Sequence, residues 1–242
     1  MAGCGAYGQA GRAYRAASVM GAQQMSICAK RTPHTPLLAV QGLTKYYGAW
    51  RYGDIGASGA GKSTLMRMIY DNYRAASGAI LAGGLDVAQA APREIIQLKR
   101  KTLGYVSQFL RVVPRAPILD MVANPLLTLG VPLAQARARA ETLLAWLNLP
   151  KRLWSLSPTT FSRGAQQRVN IARGFAHDYP AILLDEPTAS LDPKNREVVL
   201  TLIEEAKARG AAIIVIFHDV EARTRVADRQ IDLKMFAPKV AA

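Results

Sequence analysis

The sequence predicts an α/β fold: a mostly parallel sheet with an α-helical subdomain inserted into it. Three observations carry that prediction. A glycine-rich loop, GASGAGKST at 56–64, opens a segment that reads as a helix. Two apolar runs, AILLD at 181–185 and AAIIVIF at 211–217, stop abruptly at polar residues. Between loop and runs lies a proline-punctuated stretch with helical periodicity. Apolar strands without alternation suit a sheet covered on both faces, the usual setting of parallel strands.

At 242 residues the chain accommodates one large domain or a core with one inserted subdomain. Half of it is hydrophobic and a fifth charged, a balance that buries a core. The net charge of +14 favours polyanions: nucleotides, nucleic acid, anionic lipid or an acidic partner. Residues 1–35 are rich in Ala, Gly, Ser and Gln with no acid; this reads as a basic, disordered extension rather than an organelle-targeting segment, and no function is assigned to it. Cys4 and Cys28 are the only cysteines, so no disulfide framework or paired metal motif is expected and a reducing, cytoplasmic setting follows. No apolar run reaches the roughly 18 residues that span a bilayer, so no intrinsic membrane span is expected.

Residues 36–107 form the first part of the expected core. An opening strand, LAVQGLTKYY, covers 38–47. The loop follows, and it satisfies GxxxxGK[ST], the signature of a P-loop NTPase with a RecA-like core. The backbone N–H groups of Gly56, Ser58, Gly59, Ala60 and Gly61 are free to curl around a phosphate. Lys62 reaches β and γ oxygens, the Ser63 hydroxyl suits Mg2+, and a helix from Ser63 to about Tyr73 adds its positive end.

Residues 108–160 carry Pro114, Pro117, Pro125, Pro132, Pro150 and Pro158, and 132–148 read as a helix with Ala136, Ala140, Leu143, Leu144 and Leu147 on one face. This is the helical subdomain. Residues 161–242 complete the core. Ser162 is an N-cap candidate for a helix that buries Val169, Ala172 and Ala176 and leaves Arg168 and Arg173 wetter. The strand at 181–185 brings Asp185 to the sheet's carboxyl edge, where it can hold the water shell of Mg2+, and Glu186 can polarise an attacking water. The strand at 211–217 runs into His218, a phosphate-side candidate because of its place at a strand end. The three His residues form no short-spaced pair, so zinc is not indicated.

In this order GASGAGKST, Gln108 after Leu103-Gly-Tyr-Val-Ser107, Phe161-Ser-Arg-Gly-Ala-Gln-Gln-Arg168, ILLDEP, Ala189-Ser-Leu-Asp192 and His218 resemble the nucleotide-binding domain of ABC ATPases. The stretches VSQFLRVVPR, QQRVNIARGF, DYPAILLDEPTASLD and RGAAIIVIFHD are most similar to the PhnL family, the ATP-binding subunits of the carbon–phosphorus lyase system of phosphonate catabolism. The resemblance implies ATP and Mg2+ as cofactors and ATP hydrolysis as the activity. It implies that Tyr47 stacks on adenine, that Lys62, Ser63 and Thr64 hold phosphates and metal, and that Gln108 couples metal and water to the helical subdomain. Asp185 would support the metal, Glu186 act as general base, and His218 contact the γ-phosphate. Ser162, Gly164 and Gln166 would close over ATP bound to a second ABC subunit, a copy or a paralogue, with Asp192 crossing the same interface.

Two departures from the family pattern bear on turnover. Arg163 and Ala165 stand where glycine and glutamate are usual. Arg163 would either crowd the closed dimer or add a phosphate contact, and Ala165 forgoes a capping-box acid, a loss of about 0.5 to 1 kcal/mol. The second is larger: only residues 48–55 separate the opening strand from the loop, where the family has roughly thirty, so the N-terminal β region is truncated. The strand that should feed the loop is missing, a defect exceeding the roughly 5 to 15 kcal/mol by which domains are stable unless residues 18–29 or 50–55 substitute for it.

The leading expectation is an ATP-hydrolysing subunit that helps form ribose 1-phosphonate 5-triphosphate from MgATP and a phosphonate, with other carbon–phosphorus lyase subunits as partners. The alternatives are the ATPase subunit of a membrane ABC importer and a catalytically weak scaffold associated with nucleic acid. Nucleic acid is not the expected partner of the leading reading.

Overall fold

Strand-length apolar runs and helix-periodic segments alternate along the chain, and a computed structural model shows how they pack. It describes residues 17–18, 25–27, 37–44, 46–47, 62–70, 73, 75, 77–110 and 114–230. In chain order these hold β1 (Ala17–Ser18), β2 (Met25–Ile27), β3 (Leu38–Thr44), β4 (Tyr46–Tyr47), α1 (Lys62–Ile69), β5 (Ser77–Ala82), β6 (Leu85–Asp86), α2 (Pro92–Lys101) and β7 (Leu103–Val106). Next come α3 (Ile118–Leu127), α4 (Leu133–Trp146), α5 (Arg163–Gly174), β8 (Ala181–Asp185), α6 (Pro193–Ala208), β9 (Ala212–Ile216) and α7 (Val220–Val226).

The strands sort into an antiparallel sheet ordered β2-β3-β5-β6, the pair β1-β4, and a parallel sheet ordered β7-β8-β9. The parallel register runs from Leu103 opposite Ala181 to Val106 opposite Leu184, and from Ala181 opposite Ala212 to Asp185 opposite Ile216. That register brings the ends of β8 and β9 to one edge of the sheet, as ligand sites of open α/β sheets require.

Alternation along β8 explains its unbroken apolar run. Ala181 and Leu183 face a core shared with Leu65, Met66, Met68 and Ile69 of α1 and with Leu38, Val40 and Ile80 of the antiparallel sheet. Ile182 and Leu184 face the opposite core, built from α3 to α6. All five β8 residues are buried, which is what a strand with helices on both sides demands.

The helix expected over 132–148 is α4, and Ala136, Ala140, Leu143, Leu144 and Leu147 are all fully buried. Pro117 and Pro132 stand at the N-caps of α3 and α4, where their fixed φ and missing N–H are harmless. The helix after the phosphate loop is shorter than the expected 63–73. It ends at Ile69, with Tyr70 N–H still bonded to the Met66 carbonyl at 3.0 Å, because Asp71-Asn72 favour turns over helix continuation. Of residues 18–29, the described ones do not join the parallel sheet: Ser18 pairs with Tyr46, and Met25–Ile27 pairs antiparallel with β3. Residues 50–55 and the 1–35 extension, apart from β1 and β2, lie outside the described residues.

Candidate nucleotide site

Five of the residues singled out in the sequence converge at the carboxyl edge of β8. Ser63, on the first turn of α1, donates its hydroxyl to Asp185 Oδ1 at 3.1 Å. Tyr105 of β7 donates to Asp185 Oδ2 at 3.5 Å. Asp185 is 1% exposed, and its pKa is raised, above all by desolvation; the Ser63 bond lowers it and the neighbouring Glu186 charge raises it again. Burial likewise pushes the Tyr105 hydroxyl up to about 12, so it stays a donor.

Glu186 stands between two partners. Gln108 Nε2 donates to its Oε2 at 3.0 Å, and His218 Nε2 lies 2.5 Å from its Oε1. The backbone there is left-handed, with φ 53° before a proline, a conformation that costs about 1 kcal/mol or more and persists only where its surroundings enforce it. They do so here: Glu186 N–H donates to the Ile216 carbonyl at 3.1 Å, and its own carbonyl accepts from Ala189 N–H at 3.1 Å. The carboxylate is thereby turned toward the ends of β7 and β9. His218 remains largely solvent-exposed, its side chain at 63%.

Lys62 and Thr64 lie with Ser63 on the first turn of α1. Gly56, Ser58, Gly59, Ala60 and Gly61 fall outside the described residues, and Tyr47 is placed only as a backbone position in β4, opposite Ala17. The candidate metal ligands Ser63, Gln108 and Asp185 offer hydroxyl, amide and carboxylate oxygens, a set that fits Mg2+ in place of a softer metal. A desolvated carboxylate with a raised pKa is also one that gains from a nearby cation.

Residues 162–166, expected to close over ATP of a second subunit, form a separate group. Ser162 caps α5, accepting from Ala165 N–H at 3.3 Å, and Gln166 Nε2 donates to the carbonyls of Pro158 and Phe161 at 3.0 and 3.2 Å. Gly164 packs so closely on the loop after Glu186 that an added Cβ would lie 2.8 Å from the Ser190 carbonyl oxygen. Arg163 is exposed, whereas Ala165 is 7% exposed and its methyl joins the larger core. Asp192 caps α6: its Oδ1 accepts from Asn195 N–H at 2.8 Å and its Oδ2 from Asn195 Nδ2 at 2.6 Å. These bonds, the backbone one first, hold its pKa below the usual carboxylate value.

Sequence reasoning passed over Tyr105 and Asn170, whose Nδ2 donates to the Ser107 carbonyl at 2.6 Å and so steadies the segment that presents Gln108. The signal for Tyr105 was its place on β7: it lies opposite Leu183, two residues before Asp185. Among the described residues no helix is long and apolar enough to cross a membrane.

Residues 46–189 match the family described as ABC transporter. The chain is 36% identical over 222 residues to the pyoverdine export ATP-binding/permease protein PvdT of Pseudomonas syringae pv. tomato, covering 83% of this chain and 33% of that protein. It is 37% identical over 183 residues to the lipoprotein-releasing system ATP-binding protein LolD of Hyphomonas neptunium, covering 75% and 79% respectively. The chain thus spans about a third of the length of the PvdT relatives that it matches. A dimeric, post-hydrolysis structure of the ATP-binding cassette MJ0796 bound to ADP and Pi shares its fold, with TM-score 0.68 at 23% identity over 87% of this chain and 98% of that one.

Proposed function

The chain belongs to the ABC transporter ATP-binding family, whose members bind ATP with Mg2+ and hydrolyse it, and from that premise we propose that it is the ATPase cassette of a membrane transporter. One observation carries the assignment of roles: Ser63, Asp185, Glu186, Gln108 and His218 meet at a single sheet edge. Lys62 and the start of α1 take the β and γ phosphates, with the backbone of Gly56 to Gly61 around them and Tyr47 under the base. Ser63, Asp185 and Gln108 would hold Mg2+, which when bound would supply charge neutralisation for the phosphates. Glu186 accepts the proton of an attacking water, and His218 and Gln108 fix the orientation of its carboxylate. Ser162, Gly164, Gln166 and Asp192 complete a site across a second cassette.

The organisation that we propose is a core at 36–107 and 161–242 with the helical unit 108–160 inserted, working at the cytoplasmic face of a membrane. The comparisons favour the transporter alternative over the leading expectation, and because the names of the relatives refer to export and to lipoprotein release we take the direction of transport as outward or away from the membrane. A second reading, the ATP-handling subunit of a carbon–phosphorus lyase, is favoured by the four sequence stretches quoted above; the PvdT and LolD relatives do not support it. Purified protein should hydrolyse ATP only with Mg2+, and affinity capture should recover a polytopic membrane protein. Recovery of soluble lyase subunits instead would decide for the second reading, and absence of Mg2+-dependent turnover above a Glu186→Gln control would end both.

A further inference from the structure

Where α4 ends, a chain of amides joins three elements, and the nucleotide site leaves it unexplained. Asn148 follows α4 in a left-handed conformation, φ 53°. Its Nδ2 donates to Asn195 Oδ1 at 3.0 Å. Asn195, only 5% exposed, passes the connection on through its backbone N–H and Nδ2 to the two Asp192 oxygens, at 2.8 and 2.6 Å. From α5, Arg168 Nη1 donates to the carbonyls of Leu147 and Asn148 at 3.2 and 2.9 Å. The end of α4 is therefore bonded both to α5 and to the first turn of α6.

Asp192 closes the loop that Glu186 opens. Midway along that loop Ser190 is left-handed, φ 62°, and presses its carbonyl against Gly164. Glu186, Ser190 and Asp192 are thus each fixed, the last by Asn195, whose own side chain is held by the amide of Asn148 just past α4. A left-handed residue after a helix is best served by glycine, and asparagine is the second choice. Capping alone gives the Asn148 side chain no reason to reach α6. Its amide donor is directed across an element boundary to a buried amide that would otherwise lack a partner for its oxygen.

We propose that Asn148 and Asn195 are positioning residues for ATP turnover, transmitting the placement of the α3–α4 pair to the loop between Glu186 and Asp192. The inference rests on the cassette reading above, because that loop carries the base at one end and the partner-facing aspartate at the other. Movement of α3 and α4 on their neighbours then shifts Asp192 directly, without passing through the phosphate loop.

Asn148→Gly separates this role from simple capping. Glycine keeps the left-handed turn and the Leu149 N–H bond to the Leu144 carbonyl, 2.9 Å, and loses only the amide. Asn148→Ala loses the same amide and strains the turn. Steady-state MgATP hydrolysis and melting temperature are measured on the full chain for wild type, both variants, Asn195→Ala and the Asn148→Gly/Asn195→Ala double variant. The expected result is a fall in kcat of about fivefold or more in every variant, from the size of ordinary intersite couplings. KM should stay within about twofold, a range too small to signal an altered nucleotide site. The double variant should be no slower than the slower single one, as members of one network behave. An unchanged kcat in Asn148→Gly, losses that multiply in the double variant, or a kcat that follows melting temperature across the Gly and Ala variants would each overturn the proposal. Wild type no faster than Glu186→Gln would overturn the cassette reading and this inference with it.

Discussion

Strands β8 and β9 lie side by side, have five residues each and are both apolar, yet β8 is buried throughout while β9 buries only Ala212 and Ile216. Among the described residues β8 has a strand on each side and β9 has one. The difference reaches the site. The buried strand delivers Asp185 at 1% exposure and Glu186 with its side chain 16% exposed, whereas β9 delivers His218 with its side chain 63% exposed. The carboxylate at the end of the fully buried strand is desolvated and held; the imidazole beyond the partly exposed strand keeps its water. This division suits a held pair of acids beside an imidazole that already touches Glu186 and still has a face open to a ligand.

The largest test compares what the two strand ends do. Glu186→Gln should lower turnover about 10²- to 10⁴-fold, the usual worth of a positioned base, while KM for MgATP stays near wild type. His218→Ala should cost less, because Gln108 still holds the Glu186 carboxylate. Equal losses in steady-state assays would mean that base and imidazole act as one unit and that exposure does not distinguish them.

Core truncation tests the strands themselves. Leu184 is completely buried, so Leu184→Ala should lower unfolding free energy by about 2 to 5 kcal/mol. Ile214, partly exposed on β9, should lose about half as much on truncation to Ala, since less of it leaves water on folding. Denaturant titration reads both. If the two values coincide, β9 is as well covered as β8 and the contrast fails.

A third test turns on Asp185. With no cation present, its buried charge weakens the fold, so Asp185→Asn should melt higher than wild type without nucleotide. Wild type should gain about 2.7 kcal/mol at MgATP one hundred times its Kd, and the variant should gain nothing. Differential scanning calorimetry with and without MgATP measures both shifts. A variant stabilised by MgATP as strongly as wild type would remove Asp185 from the metal site.

What could be read from sequence follows the same divide. The apolar run of β8 carries its own explanation, because only a strand covered on both faces is so uniformly apolar, and its acids were legible with it. The inward face of α4 and the Ser162 cap were equally legible, since both depend on spacing within a few residues. Tyr105, Asn148 and Asn195 were not: each acts on a residue 80, 47 or 3 positions away, and only strand register or helix packing shows the longer pairings. Ala165 supplies no capping acid, and only packing shows that its methyl belongs to the core. What the proposed transporter would carry is not written in the nucleotide site at all, because any cassette cuts the same bond whatever it is coupled to.

Each strand is followed by an aspartate that caps the next helix, and these two caps give the smallest and sharpest contrast. Asp219, after β9, accepts from Glu221 N–H at 2.9 Å and pairs with Arg196. Asp192, after β8, caps α6 and receives the amide chain from α4. Asp219→Ala should cost about 1 kcal/mol of stability, the ordinary worth of a cap, and leave kcat within about twofold, since a lost cap alone does not reach the transition state. Asp192→Ala should also lower the melting temperature but reduce kcat well beyond that. A helix cap is a local device, and its loss should be felt only as stability unless the capped turn is also where another part of the molecule holds the loop that bears the base. A loss of turnover in Asp219→Ala as large as that in Asp192→Ala would show that helix capping, and not the connection to α4, is what turnover depends on.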